Sequence, residues 1–180
     1  MDFSELILCR QSVRSYEDRE VESWKIDTLI EAVRNAPSAS NSQPWKLIIV
    51  NDHQKKQAVA QLTYSRLVSF NRFAIQAPVI AVMTIEKAGI VTQIGAKLKD
   101  REFSLIDIGI AASHFCLQAA ELGLGTCMLG WFDEDAIKAQ LNIPAKVRVG
   151  LVITLGYGSD DKRAKIRKTK EQMSSFNSYK

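Results

Sequence analysis

The segment from Ala36 to Trp45 is the feature that most constrains how this chain folds. It reads Ala-Pro-Ser-Ala-Ser-Asn-Ser-Gln-Pro-Trp. A helix or strand does not accommodate this composition, because proline fixes φ and removes a backbone donor, while Ser and Asn bond their own backbone. Apolar segments flank it on both sides, so we expect a short structured loop inside a domain. Such a loop, rich in donors and held by two prolines, suits the wall of a polar, planar ligand.

Hydrophobic periodicity predicts the elements around this loop. Helical patterns cover 2–9, 22–35 with Ser23 as its candidate cap, 52–62, 65–76, 103–122 and 133–141. Short apolar runs predict strands at 46–50, 78–83, 126–129 and 147–157. Residues 86–102 are polar and fit either a flap or a short exposed helix.

Strands separated by helices predict an α+β chain with one sheet. A dinucleotide-binding Rossmann fold would need GxGxxG directly after its first strand. The glycines at Gly123 and Gly125 follow a helix instead and lack the third glycine. A length of 180 residues suits one domain spanning residues 1–180. The longest helix, from Phe103, presents one apolar face formed by Ile106, Ile110, Ser113, Leu117 and Ala120.

Composition narrows the class and the compartment. The formal net charge is +4, and its excess lies near the C-terminus in Lys162, Arg163, Lys165, Arg167, Lys168 and Lys170. Three scattered cysteines argue against a disulfide framework or a zinc site. Asp2 and Glu5 stand where a signal peptide would be basic, and polar residues interrupt the apolar run at 105–129. We therefore expect a cytoplasmic protein that does not cross a membrane.

Arginines near the N-terminus predict an anion site. Arg10, Ser12 and Arg14 alternate, so in an extended segment all three side chains project to one side. Guanidinium groups match the geometry of phosphate oxygens. Lys165 and Arg167 repeat the alternation at the other end of the chain. The alternatives are a solvated charged turn at the N-terminus and a flexible basic tail that contacts nucleic acid or anionic lipid.

The motifs taken together, in this order, resemble the FMN-dependent nitroreductase family. They are the arginine segment, the Pro/Ser/Asn loop, Asp107-x-Gly109 opening an Ala-rich helix, Gly-Leu-Gly-Thr at 123–126, Leu-Gly-Tyr at 155–157 and Lys165-x-Arg167. The resemblance implies a mixed α+β fold with a mainly antiparallel sheet flanked by helices. It also implies an intertwined homodimer with FMN at the subunit interface, and no nucleic-acid or membrane partner.

Carried over residue by residue, the resemblance implies FMN contacts from Arg10, Gln11, Ser12, Arg14, Pro37, Ser38, Ala39, Asn41, Gln43, Asn71, Leu129, Gly130, Lys165 and Arg167. Arg10, Ser12, Lys165 and Arg167 match positions that hold the phosphate and ribityl chain. Arg14 matches a cationic position near N1, where charge stabilises reduced flavin. The loop from Pro37 reaches the flavin of the partner subunit, and Gly130 lines the flavin face near N5.

The implied activity is transfer of two electrons from NAD(P)H through flavin N5 to a nitroaromatic, quinone or similar small aromatic acceptor, with ping-pong kinetics. No side-chain nucleophile or metal is required. One alternative is a specialised flavin enzyme of the dehalogenating or flavin-cleaving type. Another is a non-enzymatic binder whose basic tail docks nucleic acid or membrane. Trp131 and Phe132 face either the substrate cavity or the core.

Overall fold

Four antiparallel strands form the sheet in the part of the chain that the computed structural model describes, residues 1–86 and 101–179. The strand order is β1-β2-β4-β3. Their bounds are β1 Trp45–Val50, β2 Val79–Ile85, β3 Gly125–Leu129 and β4 Arg148–Gly156. The predicted α+β class with a mainly antiparallel sheet is confirmed, and each predicted strand lies within about a residue or two of its expected position.

Helices surround this sheet. Their bounds are α1 Phe3–Cys9, α2 Ser23–Arg34, α3 His53–Gln61, α4 Phe103–Glu121, α5 Glu134–Leu141 and α6 Lys170–Met173. Asp52 and Asp133 cap α3 and α5 through side-chain bonds to backbone N–H groups. The flap or short exposed helix predicted for residues 86–102 falls mostly on residues 87–100, which lie outside the described residues.

Two apolar clusters cover the two faces of the sheet. The central strand β2 is buried over its first six residues, so neighbouring side chains of one strand enter different clusters. Val82 belongs to the cluster beneath α3 and α5, whereas Ala81 and Met83 belong to the one beneath α2 and α4. Both faces of the sheet are therefore covered by the core. A binding site is expected at the edges of the sheet and not on its faces.

Helix α4 buries a different face from the one identified as apolar in the sequence. Asp107, Ile108, Ala111, Ala112, Phe115, Cys116 and Ala119 are buried. On the predicted face Ile106 is 53% exposed and Ser113 is also exposed. Alanines on the opposite side allow close approach to the sheet, which decides the orientation. By length and composition α4 resembles a membrane span, but its buried face identifies it as a core helix.

Two local predictions are wrong. Residues 65–76 form no α-helix; a turn is followed by a short 3₁₀ helix at Arg72–Gln76. Ser65 closes that turn, since its backbone N–H donates to Val68 O at 2.8 Å and its hydroxyl accepts from Val68 N at 3.1 Å. The N-cap of α2 is Glu22, not Ser23, and it makes no side-chain cap bond. Its carboxylate accepts from the Tyr157 hydroxyl at 2.6 Å instead.

Candidate functional site

The N-terminal arginine segment lies along the free edge of β3. Ser12 forms a parallel bridge with Thr126, and Val13 N donates to Thr126 O at 2.9 Å. Two glycines permit this approach: a Cβ on Gly125 would stand 2.6 Å from a Val13 methyl, and one on Gly158 would stand 2.9 Å away. Only glycine fits at such distances. Val13 is thus held between them, and this fixes the register of the residues on either side.

The chain returns to the same place after β4. Tyr16 and Gly158 form an antiparallel bridge. Gln11 then makes two bonds with the tail: its Nε2 donates to Asp161 O at 3.1 Å, and its Oε1 accepts from Arg163 N at 3.1 Å. Gln11, predicted as a cofactor contact, therefore joins the two termini.

Asp160 and Arg163 complete this junction, and sequence reasoning missed both as site residues. Asp160 Oδ2 accepts from Arg14 N at 2.9 Å and lies 3.4 Å from the Arg163 guanidinium. Arg163 also donates to Ser12 O. The signal in the sequence was an acidic pair, Asp160-Asp161, placed directly before the basic run. These bonds hold the backbone of Ser12 and Arg14 from the tail side.

Cations from opposite ends of the chain converge beside this junction. Lys165 Nζ donates to Arg10 O at 2.6 Å, across 155 positions of sequence. Partial burial, with the nearby charges of Arg10 and Arg167, holds the pKa of Lys165 below its usual range. Three like charges in one place repel each other, and an anion bound among them would relieve that repulsion. The donor set suits a phosphate group.

A cleft of about 280 Å³ opens beside Arg10 and reaches the C-terminal end of α4 at Ala120. Two buried thiols lie in the same region. Burial raises the pKa of Cys116 to about 11 and also raises the pKa of Cys127. Both therefore remain protonated at neutral pH, and neither acts as a thiolate.

The end of β3 forms the next part of the site. Leu129 is buried, Gly130 is exposed, and Trp131 is 54% exposed. Asn71 is 4% exposed and its Nδ2 donates to Thr63 O at 3.0 Å and to Trp131 O at 3.3 Å. Asn71 thus lies in the predicted region and fixes the turn at Gly130. Phe132 packs against the core, and the Trp131 ring is left open to solvent.

The Pro/Ser/Asn loop is folded on itself. Ser38 Oγ accepts from Gln43 N at 2.9 Å, and Gln43 Nε2 donates to Asn41 Oδ1 at 2.9 Å. Ala39 N donates to Asp107 Oδ1 at 3.0 Å, which ties the loop to α4. Pro37, Asn41 and Gln43 are exposed. The loop therefore presents polar groups outward from a bonded frame.

The structure divides the predicted contacts into two groups. Arg10, Gln11, Ser12, Arg14, Leu129, Gly130, Lys165 and Arg167 lie at the β3 edge, with Asn71 bonded to the turn that follows. The loop residues Pro37, Ser38, Ala39, Asn41 and Gln43 precede β1, at the opposite edge of the sheet. Asp107 contacts the loop and Ala120 lines the cleft, so the groups lie near opposite ends of α4, about 20 Å apart at 1.5 Å per residue.

Comparison with known proteins gives one consistent family. The nitroreductase family profile matches residues 7–157. An FMN reductase (NADPH) of Bacillus subtilis is 25% identical over 182 residues, covering 97% of this chain and 73% of its own. An FMN-dependent nitroreductase of Clostridium difficile R20291 superposes with a TM-score of 0.80 at 28% identity, covering 97% of this chain and 98% of its own. A nitroreductase family protein of Clostridium novyi NT superposes with a TM-score of 0.76 at 28% identity, covering 91% of this chain and 89% of its own.

Proposed function

The chain belongs to the nitroreductase family and is an oxidoreductase, and on that premise we propose that it binds FMN and uses NAD(P)H to reduce a small aromatic acceptor. Nitroaromatics and quinones are the acceptor classes we expect. We further propose that residues 1–180 act as one cytoplasmic domain. The similar proteins whose names include FMN support the choice of cofactor.

The convergence of Arg10 and Lys165 carries this proposal. Their contact supports a cationic site at the β3 edge, where burial and the neighbouring charges of Arg10 and Arg167 lower the pKa of Lys165. Arg10, Ser12, Lys165 and Arg167 fit the phosphate of FMN. The exposed side chain of Arg14, beside that site, fits the ring edge that becomes anionic on reduction.

These positions assign different roles to the cofactor and to the residues around it. When bound, FMN supplies the chemistry of hydride acceptance and donation at N5. Arg14 supplies a fixed positive charge near N1, which favours the reduced state. The turn at Gly130, held by Asn71, provides a backbone wall for the ring. Donor and acceptor then use one cavity in succession, which gives ping-pong kinetics.

We propose that two copies of the chain complete such a site. The loop before β1 and the cations beside β3 lie near opposite ends of α4, which supports a site built from the loop of one chain and the cations of another. Apolar side chains on α1 and α4 are open to a second copy: Phe3 is 66% exposed, Ile7 46%, Leu105 45% and Ile106 53%. We therefore place FMN at the interface of a homodimer, as two-fold association is the commonest assembly.

The first test is the purified protein itself. We expect a yellow protein that releases FMN on heating, and whose flavin absorbance is bleached anaerobically by NADH or NADPH. Initial rates with a nitroaromatic acceptor should give parallel double-reciprocal lines. A colourless protein that does not take up added FMN would refute the proposal. Flavin that NAD(P)H does not reduce would favour a specialised flavin enzyme.

Complementation tests the shared site. Arg10→Ala disables the cations of a chain, and Asn41→Ala weakens its loop. In a co-expressed heterodimer of these two variants, one site carries both defects and the other carries neither. About half of the wild-type FMN content is then expected, although each variant homodimer is deficient. FMN content no higher than that of the homodimers would place the loop and the cations in one chain and contradict the dimeric site.

A further inference from the structure

We propose that Asp107 is a positioning residue for flavin binding, which acts by holding the loop of residues 36–43 in its binding conformation. The inference rests on the proposed function, since it concerns the loop that meets the flavin ring. Asp107 itself is buried beneath this loop, only 2% exposed, and does not contact a ligand. Its effect on binding passes through the backbone N–H of Ala39.

The loop has a backbone that needs support. Ser40, Asn41 and Gln43 have φ values of 51°, 53° and 44°. This left-handed region is unfavourable for residues other than glycine and persists only where surrounding contacts impose it. Three such residues within four positions make the loop strained. Without an anchor, the chain here would relax to other conformations.

Asp107 supplies that anchor from a rigid element. It lies in the second turn of the 19-residue helix α4, whose buried face packs on the sheet. The bond from Ala39 N to Asp107 Oδ1 is 3.0 Å long. Ala39 stands between Ser38, which bonds Gln43, and the strained residue Ser40. Fixing Ala39 therefore fixes the loop at its centre.

The second carboxylate oxygen indicates that stability alone does not account for Asp107. Asp107 Oδ2 is buried and has no hydrogen-bond partner among the described residues, and the same holds for Ser42 Oγ in the loop. An unpartnered carboxylate oxygen in the interior is costly, whereas an apolar side chain of similar size would pack there without that cost. Leucine would suit this buried position. Aspartate stands there instead, and it accepts a hydrogen bond from Ala39 N in the loop.

This predicts opposite effects on folding and on binding. Asp107→Leu should leave the melting temperature of the apoprotein equal to or above that of the wild type. The same variant should raise the Kd of FMN by about tenfold or more. Riboflavin affinity should fall by the same factor, because the loop meets the ring and not the phosphate. Asp107→Asn keeps an acceptor for Ala39 N and should stay within about threefold of the wild-type Kd.

The experiment titrates FMN and riboflavin into flavin-free protein by fluorescence quenching, with melting temperatures measured in parallel. Ile137→Val is the control: Ile137 is fully buried in α5, in the apolar cluster on the other face of the sheet, and the change should not alter either Kd. If Asp107→Leu binds flavin like the wild type, or loses melting temperature in proportion to affinity, the proposal is wrong. A fall in FMN affinity alone also overturns it, since the phosphate site would then be the cause.

If Asp107→Leu does not fold, a comparison of two smaller substitutions tests the proposal. Asp107→Ala and Asp107→Asn both remove the carboxyl group, but only asparagine retains an acceptor for Ala39 N. A higher Kd for the alanine variant supports the anchor, and equal Kd values overturn it. Wild-type protein that binds neither flavin would instead refute the proposed function, so the two failures are distinguishable.

Discussion

Replacing Lys165 by methionine separates phosphate binding from ring binding. Lys165 Nζ lies 2.6 Å from Arg10 O and shares its surroundings with the guanidinium groups of Arg10 and Arg167. Methionine keeps most of the side-chain length and removes the charge. The variant should therefore lose an ionic hydrogen bond to the FMN phosphate while the neighbouring fold is retained.

The magnitude follows from the type of bond. A hydrogen bond to a charged group contributes about 1.5–3 kcal/mol, which corresponds to about 10–100-fold in Kd. Riboflavin has no phosphate, so its Kd should be nearly unchanged. The assay is fluorescence titration of flavin-free protein with each flavin. Lys168→Met, at an exposed lysine three positions further along the tail, is the control. Equal losses for FMN and riboflavin would contradict the assignment of Lys165 to the phosphate.

The lowered pKa of Lys165 also predicts how the stability and the FMN affinity of the wild type change at alkaline pH. Burial and neighbouring cations lower the pKa of Lys165 in the folded apoprotein, so the charged lysine is disfavoured there. Between this lowered pKa and the ordinary value, the unfolded chain binds more protons, and stability of the apoprotein rises with pH. FMN affinity should fall over the same alkaline window, because the phosphate needs the charged lysine. Rising FMN affinity there would refute the account.

Three further outcomes are expected. Gly125→Ala should weaken FMN binding and lower the melting temperature, because its Cβ would stand 2.6 Å from a Val13 methyl; calorimetry and flavin titration check this. Removal of residues 162–180 should abolish FMN retention, measured by flavin absorbance after gel filtration; retained flavin with lost nucleic-acid binding would favour the basic-tail alternative. Cys116 and Cys127 should not react with a thiol reagent until the protein is unfolded, because burial keeps both thiols protonated; rapid labelling of either would contradict that.

The sequence predicted the parts of the fold that local patterns determine. Short β-branched runs identified the strands, and the alternation of Arg10, Ser12 and Arg14 indicated a cationic segment whose position at a sheet edge the structure now shows. The orientation of α4 was not predictable in this way, because apolar residues occur all round it and its period is ambiguous. Residues 65–71 were misassigned because the turn-forming bonds of Ser65 outweigh their weak helical pattern.

The contacts made by Asp160 could not be predicted from local sequence. Its bond to Arg14 spans 146 positions, and only the tertiary fold brings those positions together. The same holds for Asp107, whose acidic side chain is unexpected on the buried face of an apolar helix. Such exceptions to the hydrophobic pattern are where function is expected. Which edge of the sheet receives the loop also depends on strand order, which no short motif encodes.

The placement of β3 at the border of the sheet has a consequence for the protein in the cell. A border strand offers unpaired backbone groups to any other extended chain, and this invites aggregation. Here the segment at Ser12 covers part of that border and is itself bound by the returning tail. Repulsion among Arg10, Lys165 and Arg167 opposes this arrangement, and an anion bound among them would relieve it. If that anion is FMN, as proposed above, riboflavin supply during expression should change the fraction of the protein that stays in solution, apart from the fraction that is active.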